Sequence, residues 1–403
     1  MRILLTALGL GLAMSQPEAS DRWVFETRTA VTGEPTSAVY HHLDSAGRKH
    51  IALSNGSIAA VWEDNRSKQP QVYVALKTDR QDGFTAATRV SSGNQAYEPS
   101  ITGAPDNRFV LAWEQDGAIY ARVVASSGPG PAIELSTASA SHVSLASAGA
   151  RIFAAWREQQ DGNWFIKVGA LRITSGDVLN VDSVTPVEAT GLKSRMQYPS
   201  LAVNEAGLCV AWEDRRAGHT RLLLSLSTDQ ARSFAAPRHL NEFLSNRNQY
   251  DQGNGVTRVA LASFAGDEIL AAWMDKRRGG LGYGIFAALG SDAGAIFGPN
   301  EKVHGEQGDR QPHYNPAVGG NLAGDFVVAW DDFRRGDSDI WLSHYNEDDE
   351  WSRDFSPPPA SGAGEQSHPA VALDERGGLH LLWMERADMD APSRLWYSHG
   401  LPR

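Results

Sequence analysis

Thiols are almost missing from this 403-residue chain, which has one cysteine, Cys209, and six methionines. A single cysteine makes no internal disulfide, and no thiol cluster exists to hold zinc or an iron–sulfur centre. Set in Leu208-Cys209-Val210-Ala211-Trp212, it reads as a small buried hydrophobe. Positive charge is short too. The 37 Lys and Arg stand against 48 Asp and Glu, a net charge of -11, so nothing in the overall balance draws the chain to nucleic acid or an anionic membrane surface. Past the N-terminus no apolar run approaches the roughly 18 residues of a membrane-spanning helix. Long 3.6-period segments, Gly-rich phosphate-binding signatures and a Gly-x-Ser-x-Gly elbow are also absent, which sets aside helical repeats, nucleotide use and α/β-hydrolase chemistry.

Arg2, then an apolar run from Ile3 to Met14, with small residues at Ala13 and Ser15, reads as a secretory signal over residues 1–15, extending at most to 19. The expectation is a secreted or periplasmic monomer with residues 23–400 as one domain.

That domain is repetitive. A short apolar strand ending in Trp, followed by an acid, occurs seven times, with Trp62, Trp113, Trp156, Trp212, Trp273, Trp330 and Trp383 spaced 51, 43, 56, 61, 57 and 53 residues apart. Units of this length, built from period-2 stretches bounded by Gly, Asp, Asn and Pro, fit four-stranded propeller blades and not helical repeats near 33 residues. The predicted fold is all-β: a seven-bladed β-propeller of four-stranded blades. The seventh unit stops one strand short at Leu395-Trp396-Tyr397-Ser398, while Trp23 to Thr29 precede the first unit. The N-terminal strand is therefore expected to close the ring, which removes exposed sheet edges.

Ser227 to Phe234 and Ser291 to Phe297, with a looser match at Lys77 to Phe84, resemble the Asp-box turns of the sialidase-like (BNR) propeller superfamily. In such a turn Asp caps backbone N–H groups and an aromatic plugs the gap between strands. The resemblance implies carbohydrate-related function and a ligand funnel at the start of each first strand. The Arg-Ile-Pro element of true sialidases is missing, its nearest echo being Arg258-Val259-Ala260-Leu261 in the fifth unit, so strict sialidase activity is not expected.

One polar residue per unit precedes the innermost strand: His50, Glu98, His142, Tyr198, Arg258, Asn315 and His368. Tyr97, Gln197, Tyr250, Gln252, Asn254, His313 and Tyr314 fall in the same loops. Rings beside amides suit sugars, which offer an apolar face and hydroxyl edges. Two chemistries follow. In a polysaccharide lyase, Tyr198 or His142 would be base or acid and Arg258 would neutralise a uronate carboxylate; ulvan lyases are similar in using His, Tyr and Arg in a propeller funnel, though no motif here maps onto theirs residue by residue. In a glycoside hydrolase, Glu98 would pair with Glu213, Asp214 or Asp116. The alternative is a non-catalytic secreted scaffold binding protein or carbohydrate.

The repeated Asp-x-Arg pairs Asp64/Arg66, Asp214/Arg216, Asp275/Arg277 and Asp332/Arg334 read as structural corners. Arg216, Arg278 and Arg335 are candidates for a basic patch at the funnel mouth, suited to carboxylated or sulfated sugars. No cofactor is required by any motif; zinc would find His50, His368, His41 and His42, and Ca²⁺ the acid-rich turns.

Overall fold

The computed structural model describes residues 22–34, 38–44, 47–78, 81–189, 193–242, 255–277, 282–345 and 350–403. The expected signal segment lies outside these residues, as do Tyr250, Gln252, Asn254 and Arg278.

Each Trp repeat is the second strand of one antiparallel sheet, and there are seven such sheets. These strands are Ser57–Asp64, Arg108–Gln115, Arg151–Gln160, Leu208–Asp214, Glu268–Asp275, Phe326–Arg335 and Leu379–Arg386, which number blades 1 to 7. They are apolar on both faces because a blade is sandwiched between two others, which is why the sequence shows near-continuous apolar runs there. Seven apolar clusters fill the seven interfaces between adjacent blades, each holding one repeated Trp. All seven indoles are 0% exposed. At about 25 cal/mol/Å² and roughly 200 Å² per ring, each contributes on the order of 5 kcal/mol of burial.

Five of the seven indole N–H groups are satisfied by a device the sequence repeats. Trp62, Trp113, Trp156, Trp273 and Trp330 donate to the side chain two residues on, Asp64, Gln115, Glu158, Asp275 and Asp332, at 2.8 to 3.2 Å. Where that residue is Asp it also binds the backbone and guanidinium of the Arg two further along, as Asp64 does for Arg66 and Asp332 for Arg334. Asp-x-Arg is thus a blade corner.

Closure is as expected. Trp23–Phe25 pairs antiparallel with Arg394–Pro402, in the register Trp23↔Pro402 to Phe25↔Gly400, as the outer strand of blade 7. Trp23 is buried, and its Nε1–H donates to the Gly377 carbonyl at 2.8 Å. The first strands of successive blades pack side by side around the ring, and that of blade 7 meets that of blade 1. Blade 6 has three laddered strands among the described residues, with isolated bridges Leu342↔Phe355 and Tyr345↔Trp351 at its outer edge. No helix of the described residues is long and apolar enough to cross a membrane.

At the turn after the third strand of blade 4, Asp229 accepts from the N–H groups of Arg232 and Ser233 and from both flanking Ser hydroxyls. The second such turn, at Asp292–Gly294, is a short 3₁₀ turn whose Ser291 makes no capping bond. Asp79 of the third lies outside the described residues.

Candidate functional site

The first strand of blades 2 to 7 carries a β-bulge, placed between Tyr97 and Ser100 in blade 2 and between Gln197 and Ser200 in blade 4, with equivalents in blades 3, 5, 6 and 7. The bulged residue is the predicted polar one. Glu98, His142, Tyr198, Arg258, Asn315 and His368 all have φ between 49° and 60°, a left-handed conformation costing non-glycine residues about 1 kcal/mol or more each. Such bulges re-aim side chains, and here they turn six half-buried polar groups toward the axis.

An acid directly after Trp holds four of the six bulges. Glu98 N–H donates to Glu63 at 3.1 Å, His142 N–H to Glu114 at 2.5 Å, Arg258 N–H to Glu213 at 2.8 Å and His368 N–H to Asp331 at 2.8 Å. Every acceptor belongs to the preceding blade. Blade 3 has Arg157 at that position, and there the His142 ring substitutes: its Nδ1 accepts from Tyr198 N–H at 3.2 Å.

Blade 1 departs from the sequence-based alignment. His50 is not the ring residue: its carbonyl pairs with Val61, the residue before Trp62, which is the register of Ser100, Ser144 and Ser200. Its ring is buried, with Nδ1 at 3.0 Å from the Val61 carbonyl and Nε2 at 2.6 Å from that of Asp44, and burial lowers its pKa to about 4. Two residues earlier, Arg48 holds the ring position. It sits on the stretch of residues 47–50, which reaches the first strands of blades 2, 3 and 4. There the Ser144 hydroxyl donates to the Gly47 carbonyl, Ile101 N–H donates to that of Lys49, and a Cβ on Gly47 would collide with the Pro199 carbonyl oxygen.

Arg48 is buried and organises the floor. Its guanidinium binds Asp44, Glu98 and Glu114, and Asp44 in turn lies 3.5 Å from Arg258. Burial opposes ionisation of Asp44, yet Arg48 and Arg258 hold it down at about 2. Glu114 goes the other way: burial, then the neighbouring Glu98, push it up to about 8 despite Arg48. Glu114 is therefore a carboxylic acid at neutral pH, sharing a hydrogen bond with Glu98.

Tyr198 lies between two partners. The His142 ring stacks on it at 3.9 Å and 9°, and the Arg258 guanidinium sits 4.1 Å from its centroid. Burial, then Arg48 and Arg157, lower the His142 pKa to about 2. The imidazole is neutral, and with Nδ1 accepting from Tyr198 N–H its proton belongs on Nε2.

The four residues predicted to carry chemistry are thus linked in one chain, Glu98 to Arg48 to Asp44 to Arg258 to Tyr198 to His142. A cavity of about 460 Å³ opens beside it between blades 1 and 2, lined by Tyr40, His42, Glu63, Tyr97, Glu98 and Glu114 among others, within the range of small-ligand sites. Asn315 donates to Asp331 at 2.6 Å, and His368 lies 6.0 Å from His42. Other predicted residues sit elsewhere. His313 is buried inside blade 6 against Asp332 and the Gly308 carbonyl, and Tyr314 packs edge-on to Tyr283 and Phe333. Arg216 is held between Asp214 and Glu188, and Arg335 lies over Trp341 near Asp339. Glu213 is consumed by Arg258 N–H, Thr257 and Gln197.

No protein-family description matches the chain, and no curated protein does. Solved structures do. They include a protein of unknown function from Dyadobacter fermentans, with 12% identity over 94% of this chain and 99% of that one and a TM-score of 0.54. Penicillium chrysogenum α-L-arabinanase complexed with arabinobiose matches with 13% identity over 93% and 98% and a TM-score of 0.50. An ulvan lyase of polysaccharide lyase family PL25 matches with 8% identity over 93% and 95% and a TM-score of 0.57. At such identities the likeness shows the shared propeller fold.

Proposed function

We propose that this chain is an exported carbohydrate-active propeller that cleaves a uronate-containing polysaccharide by β-elimination at the funnel floor. The observation that carries the reading is the Tyr198 ring held between His142 and Arg258. Elimination needs a cation or N–H donor at the uronate carboxylate, so that the adjacent carbon can lose its proton, and a group that takes that proton and returns it to the leaving glycosidic oxygen as the C–O bond breaks and the C=C bond forms. Arg258 and the Nε2–H of His142 suit the carboxylate. His142 is a poor base, since its pKa is lowered to about 2, chiefly by burial, so proton transfer falls to Tyr198. Arg48, Arg157 and Arg258 gather around Tyr198 and His142, cations that would favour an anionic sugar.

Hydrolysis fits less well. Glu98 and Glu114 share a hydrogen bond, whereas carboxyls flanking a glycosidic bond stand about 5 to 9.5 Å apart. Glu213 and Asp214 are occupied by the bulge and the corner. The ulvan lyase of the same fold, also solved bound to -[GlcA(1-4)Rha3S]-, makes sulfated glucuronate polymers the first substrates to try.

The test is to incubate the protein with uronate polymers, sulfated and unsulfated, while following unsaturated-product absorbance and new reducing ends. Both should rise together. Tyr198→Phe should cut turnover by about 10²-fold or more while retaining ligand binding. Reducing ends without absorbance would replace elimination by hydrolysis, and silence in both with retained binding would leave a carbohydrate-binding scaffold.

A further inference from the structure

Among the described residues, one group of three His or acidic side chains has donor atoms that converge, and it lies away from the funnel, on blade 7. Asp374 begins the turn after Glu365–Leu373, His380 lies in Leu379–Arg386 and His399 in Arg394–Pro402, where the two histidines are cross-strand partners. Their rings stack at 4.4 Å, with His380 Nε2 at 3.6 Å and His399 Nε2 at 4.0 Å from the same Asp374 Oδ2.

Three observations indicate that this is more than an ion-pair cluster. The outer nitrogen of His380 is engaged, Nδ1 with the Tyr397 hydroxyl at 2.7 Å, the outer-sphere support that fixes which nitrogen a metal-binding histidine presents, and that of His399 faces Glu26 at 3.9 Å. Asp374 Oδ1 is taken by the N–H groups of Arg376 and Gly378, both at 2.8 Å, which leaves Oδ2 for the imidazoles. The His399 Nε2 atom is buried with no hydrogen-bond partner, and a Cβ on Gly378 would fill the space between it and Asp374, at 2.7 and 2.6 Å.

We propose that Asp374 Oδ2, His380 Nε2 and His399 Nε2 bind a divalent transition-metal ion, with zinc the best match and water as the fourth ligand. Metal–donor bonds of about 2 Å place tetrahedral donors about 3.3 Å apart, so donors that lie within 4.8 Å of one another need to close by no more than about 1.5 Å. Two imidazoles disfavour Ca²⁺ and Mg²⁺, which prefer all-oxygen shells. The ion would be structural. It would tie the Asp374–Gly378 turn, whose Gly377 carbonyl receives Trp23 Nε1–H, to the strand whose His399 carbonyl receives Glu26 N–H, pinning both anchors of the closing strand.

The full chain, stripped with a chelator, should bind one equivalent of Co²⁺ with the visible absorption of a tetrahedral site, displaced by Zn²⁺. At Zn²⁺ one hundred times Kd the folded-to-unfolded ratio should rise roughly a hundredfold, read as a higher Tm. His399→Ala should abolish both effects. Asp374→Asn, which keeps the turn-capping oxygen, and Gly378→Ala, which fills the cradle, should do so by independent routes. Equal binding by wild type and His399→Ala, or no metal-dependent rise in Tm, would overturn the site.

Discussion

Glu114 offers the sharpest check on the ionic floor. Burial first, then Glu98, raise its carboxyl from an ordinary 4.5 to about 8, against Arg48. Because the folded pKa exceeds the unfolded one, the stability it confers is complete below about pH 4.5 and is lost as pH rises through 8. At about 1.4 kcal/mol per pH unit the ceiling is about 5 kcal/mol. Water reaching a side chain that is 17% exposed trims this to about 2–3 kcal/mol. Glu114→Gln imitates the protonated form: it keeps an oxygen for His142 N–H and offers Glu98 an N–H in place of the acid proton. The variant should match wild type within about 0.5 kcal/mol near pH 4 and exceed it by about 2–3 kcal/mol near pH 8.5. Urea unfolding followed by tryptophan emission, with unchanged m-values, measures both. Asp331, also pushed up to about 8 by burial, contributes its own slope equally to both proteins. Parallel pH profiles, or a variant less stable near pH 8.5, would refute the assignment of a neutral Glu114.

Two more perturbations test the architecture. Trp23→Ala should lower the stability of the whole ring by about 4–6 kcal/mol, from the emptied volume and the orphaned Gly377 carbonyl, in a single urea transition; a small separate early transition with the remainder unchanged would contradict closure. Gly47→Ala should cost about 1–3 kcal/mol by driving residues 47–50 off Pro199, and should depress turnover along with Arg48 placement; full activity would show that Arg48 does not depend on that contact.

Most of the scaffold could be read from repetition. Seven Trp positions, the Asp-x-Arg corner and the missing outer strand of blade 7 all follow from period and alternation, and each has its expected place. Blade 1 misled because two residues there suit the innermost strand: aligning on Ala52 sets His50 in the ring, while the ladder starts one pair earlier and sets Arg48 there. The signal was the stretch between His42 and Ile51, which has no counterpart in the other units. The second missed feature, that acids directly after Trp cap the next blade, was hidden because strand alternation sends adjacent acids to opposite faces. Glu63 and Asp64 look like one acidic pair in sequence yet serve different blades.

That division explains why the ring is chemically mixed. A left-handed bulge on a non-glycine residue needs its N–H satisfied, and the acid of the preceding blade does so through the backbone alone. The cap is indifferent to the side chain it supports, so Glu, His and Arg can occupy equivalent bulges while the acid recurs. Repeated residues therefore report the scaffold, and the residues free to vary report the chemistry. The exception in blade 3 strengthens the point: Arg157 replaces the cap, and His142, already in the ring, takes over by accepting Tyr198 N–H. Loss of that acid both adds a cation to the floor and fixes the neutral His142 ring against Tyr198. Of the three positions after Trp that carry no acid, Arg157, Met274 and Met384, the one occupied by a cation thus coincides with the stacked pair on which the proposed proton transfer depends, where a departure from structural regularity is best understood as a demand of function.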